Sequence, residues 1–148
     1  MKLKFTVTGE PHGKERPRFN HKTGHTYTPS KTVDYEATIV KEYRRQVGSV
    51  KFPDDAAIDL RVLAYYAIPA SASKNKKVLM ELGVIRPTKT PDWDNVGKAV
   101  SDGLNKIAYR DDAQIVDAQV RKFYALLPRV TVILQSAWIP QTDQEEIK

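Results

Sequence analysis

Apolar and polar side chains alternate at both ends of this chain. Leu3, Phe5 and Val7 interleave with Lys2, Lys4 and Thr6, which predicts a strand over 2–8 with one buried face. Ile58, Leu60, Val62 and Ala64 interleave with Asp59, Arg61, Leu63 and Tyr65. The partial apolarity of both sets predicts a central strand over 56–67, ended by Pro69. Val116, Ala118 and Val120 alternate with Asp117, Gln119 and Arg121 over 115–125, and 129–137 repeats the pattern. Leu127-Pro128 reads as a turn, so these last two strands are expected to pair as a hairpin.

Between the strands the period lengthens. Val96, Ala99, Val100, Gly103, Leu104 and Ile107 fall on one helical face, with Asn95, Lys98, Ser101, Asp102 and Asn105 opposite. A second helix is predicted from Ser30 to a stop at Gly48, with Val33, Ala37, Val40 and Val47 along one face and Ile39 and Tyr43 beside it. Lys41, Arg44 and Arg45 in its last turns suit the helix dipole and need no further role. A short helix over 71–82 carries Lys74, Lys76 and Lys77 early, where the dipole disfavours them, so phosphate contact is expected. This order predicts an α+β fold: one domain over 1–148, a mixed β-sheet with helices packed on one face, and a frayed polar tail from about 140.

At 148 residues the chain suits one domain that buries about two-thirds of its unfolded surface. The absence of cysteine excludes disulfides, thiolate chemistry and cysteine-based zinc sites, and suits a cytoplasmic location. No signal-peptide pattern opens the sequence and no apolar run reaches membrane-spanning length, so no membrane association is expected. The net charge is +6 although 90–115 is acidic, so basic residues dominate elsewhere, as in a binder of polyanions. A merely soluble basic surface is the alternative. The loop over 9–29 carries Lys14, Arg16 and Arg18 with the aromatic neighbours Phe19 and Tyr27, and is expected to be a DNA-contacting arm; a solvated loop is its alternative. Its histidines, His12, His21 and His25, lack ligand spacing. Arg86 and Lys89 lead into the acidic stretch, where they could hold DNA against it.

That stretch carries the chemistry. Asp92 and Asp94 lie one residue apart, and in extended backbone they would point the same way about 6.5–7 Å apart. Pro91 fixes its own φ and biases Thr90 towards extended backbone. Asp94 is the expected N-cap of the helix, and Lys98, one turn on, can reach back to the carboxylates. Asp102 is expected to pair mainly with Lys98. A second acidic pair, Asp111-Asp112, arrives after the helix. Trp93 is expected to be packed, and Trp138 to lie in the core or an interface. An EF-hand reading fails, because Gly103 stands where the loop needs a bidentate glutamate. Carboxylates gathered beside a lysine suit a hard cation such as Mg²⁺ and phosphodiester hydrolysis.

The string Pro91-Asp92-Trp93-Asp94-Asn95-x-x-Lys98-x-x-x-Asp102, followed by Asp111-Asp112-Ala113-Gln114-Ile115, resembles the signature of the RusA family of Holliday junction resolvases. Gly13-Lys14-Glu15-Arg16-Pro17-Arg18, Tyr27-Thr28-Pro29 and Ile68-Pro69 followed by Lys74-Asn75-Lys76-Lys77 resemble its phage-type branch. The resemblance covers nearly the whole chain. It implies catalytic acids at Asp92, Asp94 and Asp112, with Asp111 a further candidate ligand, and a catalytic lysine at Lys98. It further implies Mg²⁺ with Mn²⁺ able to substitute, no small-molecule cofactor, and a homodimer acting on four-way DNA junctions in recombination and repair. A nuclease of other branched or flapped DNA, or a non-catalytic junction binder with a structural metal, are the alternatives.

Overall fold

The computed structural model describes residues 1–140. The elements run β1 (Lys2–Thr8), β2 (Arg18–Asn20), β3 (His25–Tyr27), α1 (Ser30–Gln46), β4 (Ile58–Ala67), α2 (Lys74–Glu81), α3 (Trp93–Leu104), β5 (Ile115–Ala125) and β6 (Arg129–Ser136). The frayed tail expected at the end of the chain lies, from residue 141 on, outside the described residues.

The strands β1, β6, β4 and β5 form one mixed sheet in that order. β4 pairs with β5 in parallel and with β6 antiparallel, and β1 pairs antiparallel with β6. The expected α+β fold with a mixed sheet is therefore present. β4 is central, as its two-sided apolarity predicts. Its inward residues Ile58, Leu60, Val62, Ala64 and Tyr66 are all buried, and α3 covers them through Val96, Val100 and Leu104.

The hairpin expectation is wrong. β5 and β6 do not pair, because β4 lies between them. The inward face of β4 buries best with a strand on each edge, and both later strands supply one. Two inter-strand spacings come to about 9–10 Å, which the three residues 126–128 can span. Their exposed side chains Leu126 and Leu127 show the link riding over the end of β4.

α1 also turns differently from its expected face. Thr32, Ile39 and Tyr43 are buried, whereas Val33 is exposed. Burying a large side chain contributes roughly 1.5–3 kcal/mol, more than an alanine can, so Ile39 and Tyr43 set the rotation. Tyr43 meets Phe5 edge-on at 5.4 Å and donates its hydroxyl to the Val50 carbonyl. Ile39 sits against Gly103, where an added Cβ would lie 3.3 Å from it. That glycine lets α1 and α3 approach closely.

The arm over 9–29 is not all loop, since β2 and β3 pair as a small antiparallel ribbon. Phe19 and Tyr27 stand exposed on it.

Candidate active site

α3 begins where the sheet ends. The Tyr66 hydroxyl, at the far end of β4, donates to the Pro91 carbonyl at 2.9 Å and ties the helix start to the strand. Asp92 is the N-cap residue, with extended backbone at φ −68° and ψ 155°. Asp94 lies in the first helical turn, so the N-cap expected at Asp94 moves to Asp92. The two acids are thus not an extended pair; a helix start brings them to one side. The Asp92 carboxylate makes no capping hydrogen bond. Both acids favour the positive end of the helix dipole.

Asp92 and Asp94 line a cleft of about 550 Å³ with Thr88, Lys89, Trp93 and Lys122. Asp94 also lines an adjoining recess of about 290 Å³, with Gly97, Ser101 and Asp112. Asp94 is therefore the link between Asp92 on one side and Asp112 on the other. Trp93 borders both recesses and is 65% exposed, against the expectation that it is packed. Strand alternation does not apply to it, because it is the first helical residue.

The late acids divide their work. Asp111 caps a short 3-10 turn, accepting from the Ala113 N–H at 3.2 Å while Gln114 accepts from the Asp111 N–H at 3.2 Å. The Ala113 N–H first, and then a hydrogen bond with Asp112, hold the Asp111 carboxyl below the usual carboxylate range. Asp112 faces the recess instead. Its hydrogen bond with Asp111 comes first, then burial and the charges of Asp111 and Asp102, and together they raise its pKa. Such a carboxyl is relieved by a cation. Among the described residues, no group of three His, Asp or Glu side chains already forms a cage for an ion. The donors nonetheless fit a hard cation in kind, since all three recess acids offer carboxylate oxygens.

Lys98 is exposed, with its Nζ 4.0 Å from Asp102 Oδ2. Asp102 has a nearer partner than expected, Lys14, at 3.3 Å. Lys14 Nζ also contacts Glu36 at 2.5 Å, and the Lys14 backbone N–H donates to the Asn95 carbonyl at 2.8 Å. Burial alone would lower the Lys14 pKa, but the two carboxylates outweigh it and hold it above the ordinary lysine value. Gly13 lies so close to α3 that an added Cβ would be 2.8 Å from Pro91 Cβ. Lys14 thus fastens the arm to the acid-bearing helix, with its charge turned inward to Glu36 and Asp102. Arg16 and Arg18 are exposed and line a groove of about 630 Å³ against Thr90, Pro91 and Asn95.

The remaining expected cations are scattered. Lys74 and Lys76 are exposed on α2 and Lys77 is half-buried; none of the three lines an acid recess. Arg86 donates to the Lys122 carbonyl at 2.9 Å and lies 4.2 Å from the Phe123 ring centroid. Lys89 stands in the acid cleft. Lys122, which no motif singles out, joins it there. In sequence it is one more polar position in a strand, and only the parallel pairing of β5 with β4 carries it to α3. Trp138 is exposed on the described chain, beside Asp59, Arg61 and Asp117, so it is not in the core.

Among the described residues, no helix is long and apolar enough to cross a membrane. The chain is 39% identical over 140 residues to the uncharacterized protein YqaN of Bacillus subtilis (strain 168), covering 90% of this chain and 95% of that protein. The sequence model of the family Endodeoxyribonuclease RusA matches residues 8–135. With that match running from the end of β1 into β6 and taking in every acid of both recesses, the chain belongs to the RusA family of endodeoxyribonucleases.

Proposed function

We propose that this protein is a Mg²⁺-dependent, structure-specific DNA endonuclease that resolves four-way junctions by symmetric phosphodiester hydrolysis, in cytoplasmic recombination and repair. The observation that carries the catalytic part is Asp94 shared between two recesses, with Asp92 on one and Asp112 on the other. The junction as substrate rests on the family. Asp92, Asp94 and Asp112 would hold Mg²⁺, or Mn²⁺ in its place, which when bound supplies positive charge for phosphoryl oxygens and lowers the pKa of water. Asp111, tied to its cap, supports Asp112 from behind.

The chain's own groups do the rest. Lys98 would meet charge that develops on the phosphate, and Asp102 limits where its ammonium can go. Trp93 offers an exposed ring to a base of an opened strand. Arg16 and Arg18, held to α3 through Lys14, would carry the neighbouring backbone phosphates, and Lys74, Lys76, Lys77 and Arg86 more distant ones. A homodimer would place two such sites on the two symmetric strands of a junction.

The test is cleavage of a synthetic four-way junction, a flap and a linear duplex, each in Mg²⁺ and in EDTA. Paired nicks in the junction that need Mg²⁺ are expected. Preferential cutting of the flap would move the assignment to a nuclease of other branched DNA. No cutting of any substrate would leave a junction-binding protein.

A further inference from the structure

Two ammonium groups enter the acid cleft without acids of their own. Lys122 pairs in register with the buried Ala64, so its side chain leaves β5 on the α3 side of the sheet. Its Nζ donates to the Lys89 carbonyl at 2.5 Å and lies 5.2 Å from the centroid of the Tyr66 ring. Lys89 Nζ stands 5.9 Å from the same ring and 5.8 Å from that of Tyr124. Among the described residues, neither lysine has a carboxylate within ion-pair distance. Both line the cleft that holds Asp92 and Asp94.

Like charges drawn to one aromatic ring repel each other, and cation–π attraction at a part-exposed site offsets that repulsion only weakly. An anion between them relieves that repulsion. The seat is also fixed relative to the acids. Tyr66 is tied by its hydroxyl to the Pro91 carbonyl, one residue before Asp92, and burial pushes its pKa up to about 12, so it stays a neutral donor. A phosphodiester offers two unesterified oxygens, one to each lysine, and on the nuclease reading it is the anion this cleft receives.

We infer that Lys89 and Lys122 form a phosphate seat, which receives a backbone phosphate of the strand lying over Asp92 and Asp94. This rests on the nuclease reading for the identity of the strand. The seat itself is a claim about anion binding, and it can be tested without cleavage.

The experiment measures DNA binding by the full chain in EDTA across a salt series, on a four-way junction and on a linear duplex. Lys122→Met is expected to lower the slope of log K against log salt by about one unit, and Lys89→Met with Lys122→Met by about two. Lys122→Arg restores the slope. In a set of DNAs each with one neutral methylphosphonate, one position should weaken binding by the wild type and leave the double variant unaffected. If Lys122→Met folds, melts at lower temperature and keeps the wild-type slope, Lys122 is only a strut for the Lys89 carbonyl and the seat is overturned. Lys89→Met guards against a misfolded Lys122 variant, because it leaves that carbonyl in place; an unchanged slope there also overturns the seat. Wild-type protein that never cuts in Mg²⁺, yet loses slope in the variants, would sink the nuclease reading alone.

Discussion

At the scale of single residues, the two acidic pairs differ in what their carboxylates are free to do. Asp92 and Asp94 start α3 with the Asp92 side chain uncommitted, and Asp112 faces the recess with a raised pKa. Asn in place of any of the three keeps the shape and removes the charge a hard cation needs. Each change should lower the single-turnover cleavage rate by roughly 10²–10³-fold, the scale of losing one group that stabilises transition-state charge. Binding in EDTA should hold or tighten, because a negative charge facing phosphate has gone. Asp111→Asn is the informative contrast. Asn caps as well as Asp, so the 3-10 turn survives and cleavage should stay within a few-fold of wild type. Near-wild-type rates for the Asp94 and Asp112 variants would reduce these acids to helix starts and loop solvation. The motif spelling could name the acids, but it could not tell a free carboxylate from a capping one. That distinction needed the hydrogen bonds of Asp111 to Ala113 and Gln114.

At the scale of elements, the arm and α3 act together because Lys14 joins them. Arg16 and Arg18, exposed on the far side of that joint, should contact phosphates; replacing both with alanine is expected to lower the salt slope of junction binding by roughly 1–2 units. An unchanged slope in a folded variant would return the arm to solvent. Lys14 itself should matter for stability. Lys14→Met leaves Glu36 unneutralised and Asp102 with only the more distant Lys98, and should cost about 1 kcal/mol in urea denaturation at neutral pH, between an exposed pair and a buried one. The pH dependence has a definite sign. The Lys14 pKa is raised on folding, so its contribution is fully present below the unfolded lysine value of about 10.4 and is lost as pH rises through the higher folded value. The gap between wild type and variant should therefore stay constant around neutral pH and close in strong alkali. A gap that stays open in strong alkali would mean that Lys14 acts through something other than its charge. The stripe on α3 was legible because five small and medium apolar residues share one face with few competitors. The face of α1 was not, because its largest side chains lie off the row that counting favours.

At the scale of the molecule, the prediction concerns a second copy. Trp138 and Ile139 at the end of the described chain, and Val116 on the edge strand β5, are exposed apolar side chains suited to an interface. Light scattering at micromolar concentration should give a dimer without DNA; a monomer would remove preformed two-site cutting and leave the acids as they stand. What the sequence determined by itself was local and chemical. Alternation marked four strands, a helical stripe marked α3, and the spacing of Asp92, Asp94, Lys98 and Asp111-Asp112 named the candidate site, because each depends on residues near one another along the chain. What tertiary structure decided was adjacency. The placement of β4 between β5 and β6, the delivery of Lys122 to Asp92, and the turning of Lys14 inward to Glu36 and Asp102 all join residues more than 20 positions apart. Such pairings follow from which arrangement buries β4 on both edges, and no periodicity within a single segment encodes that.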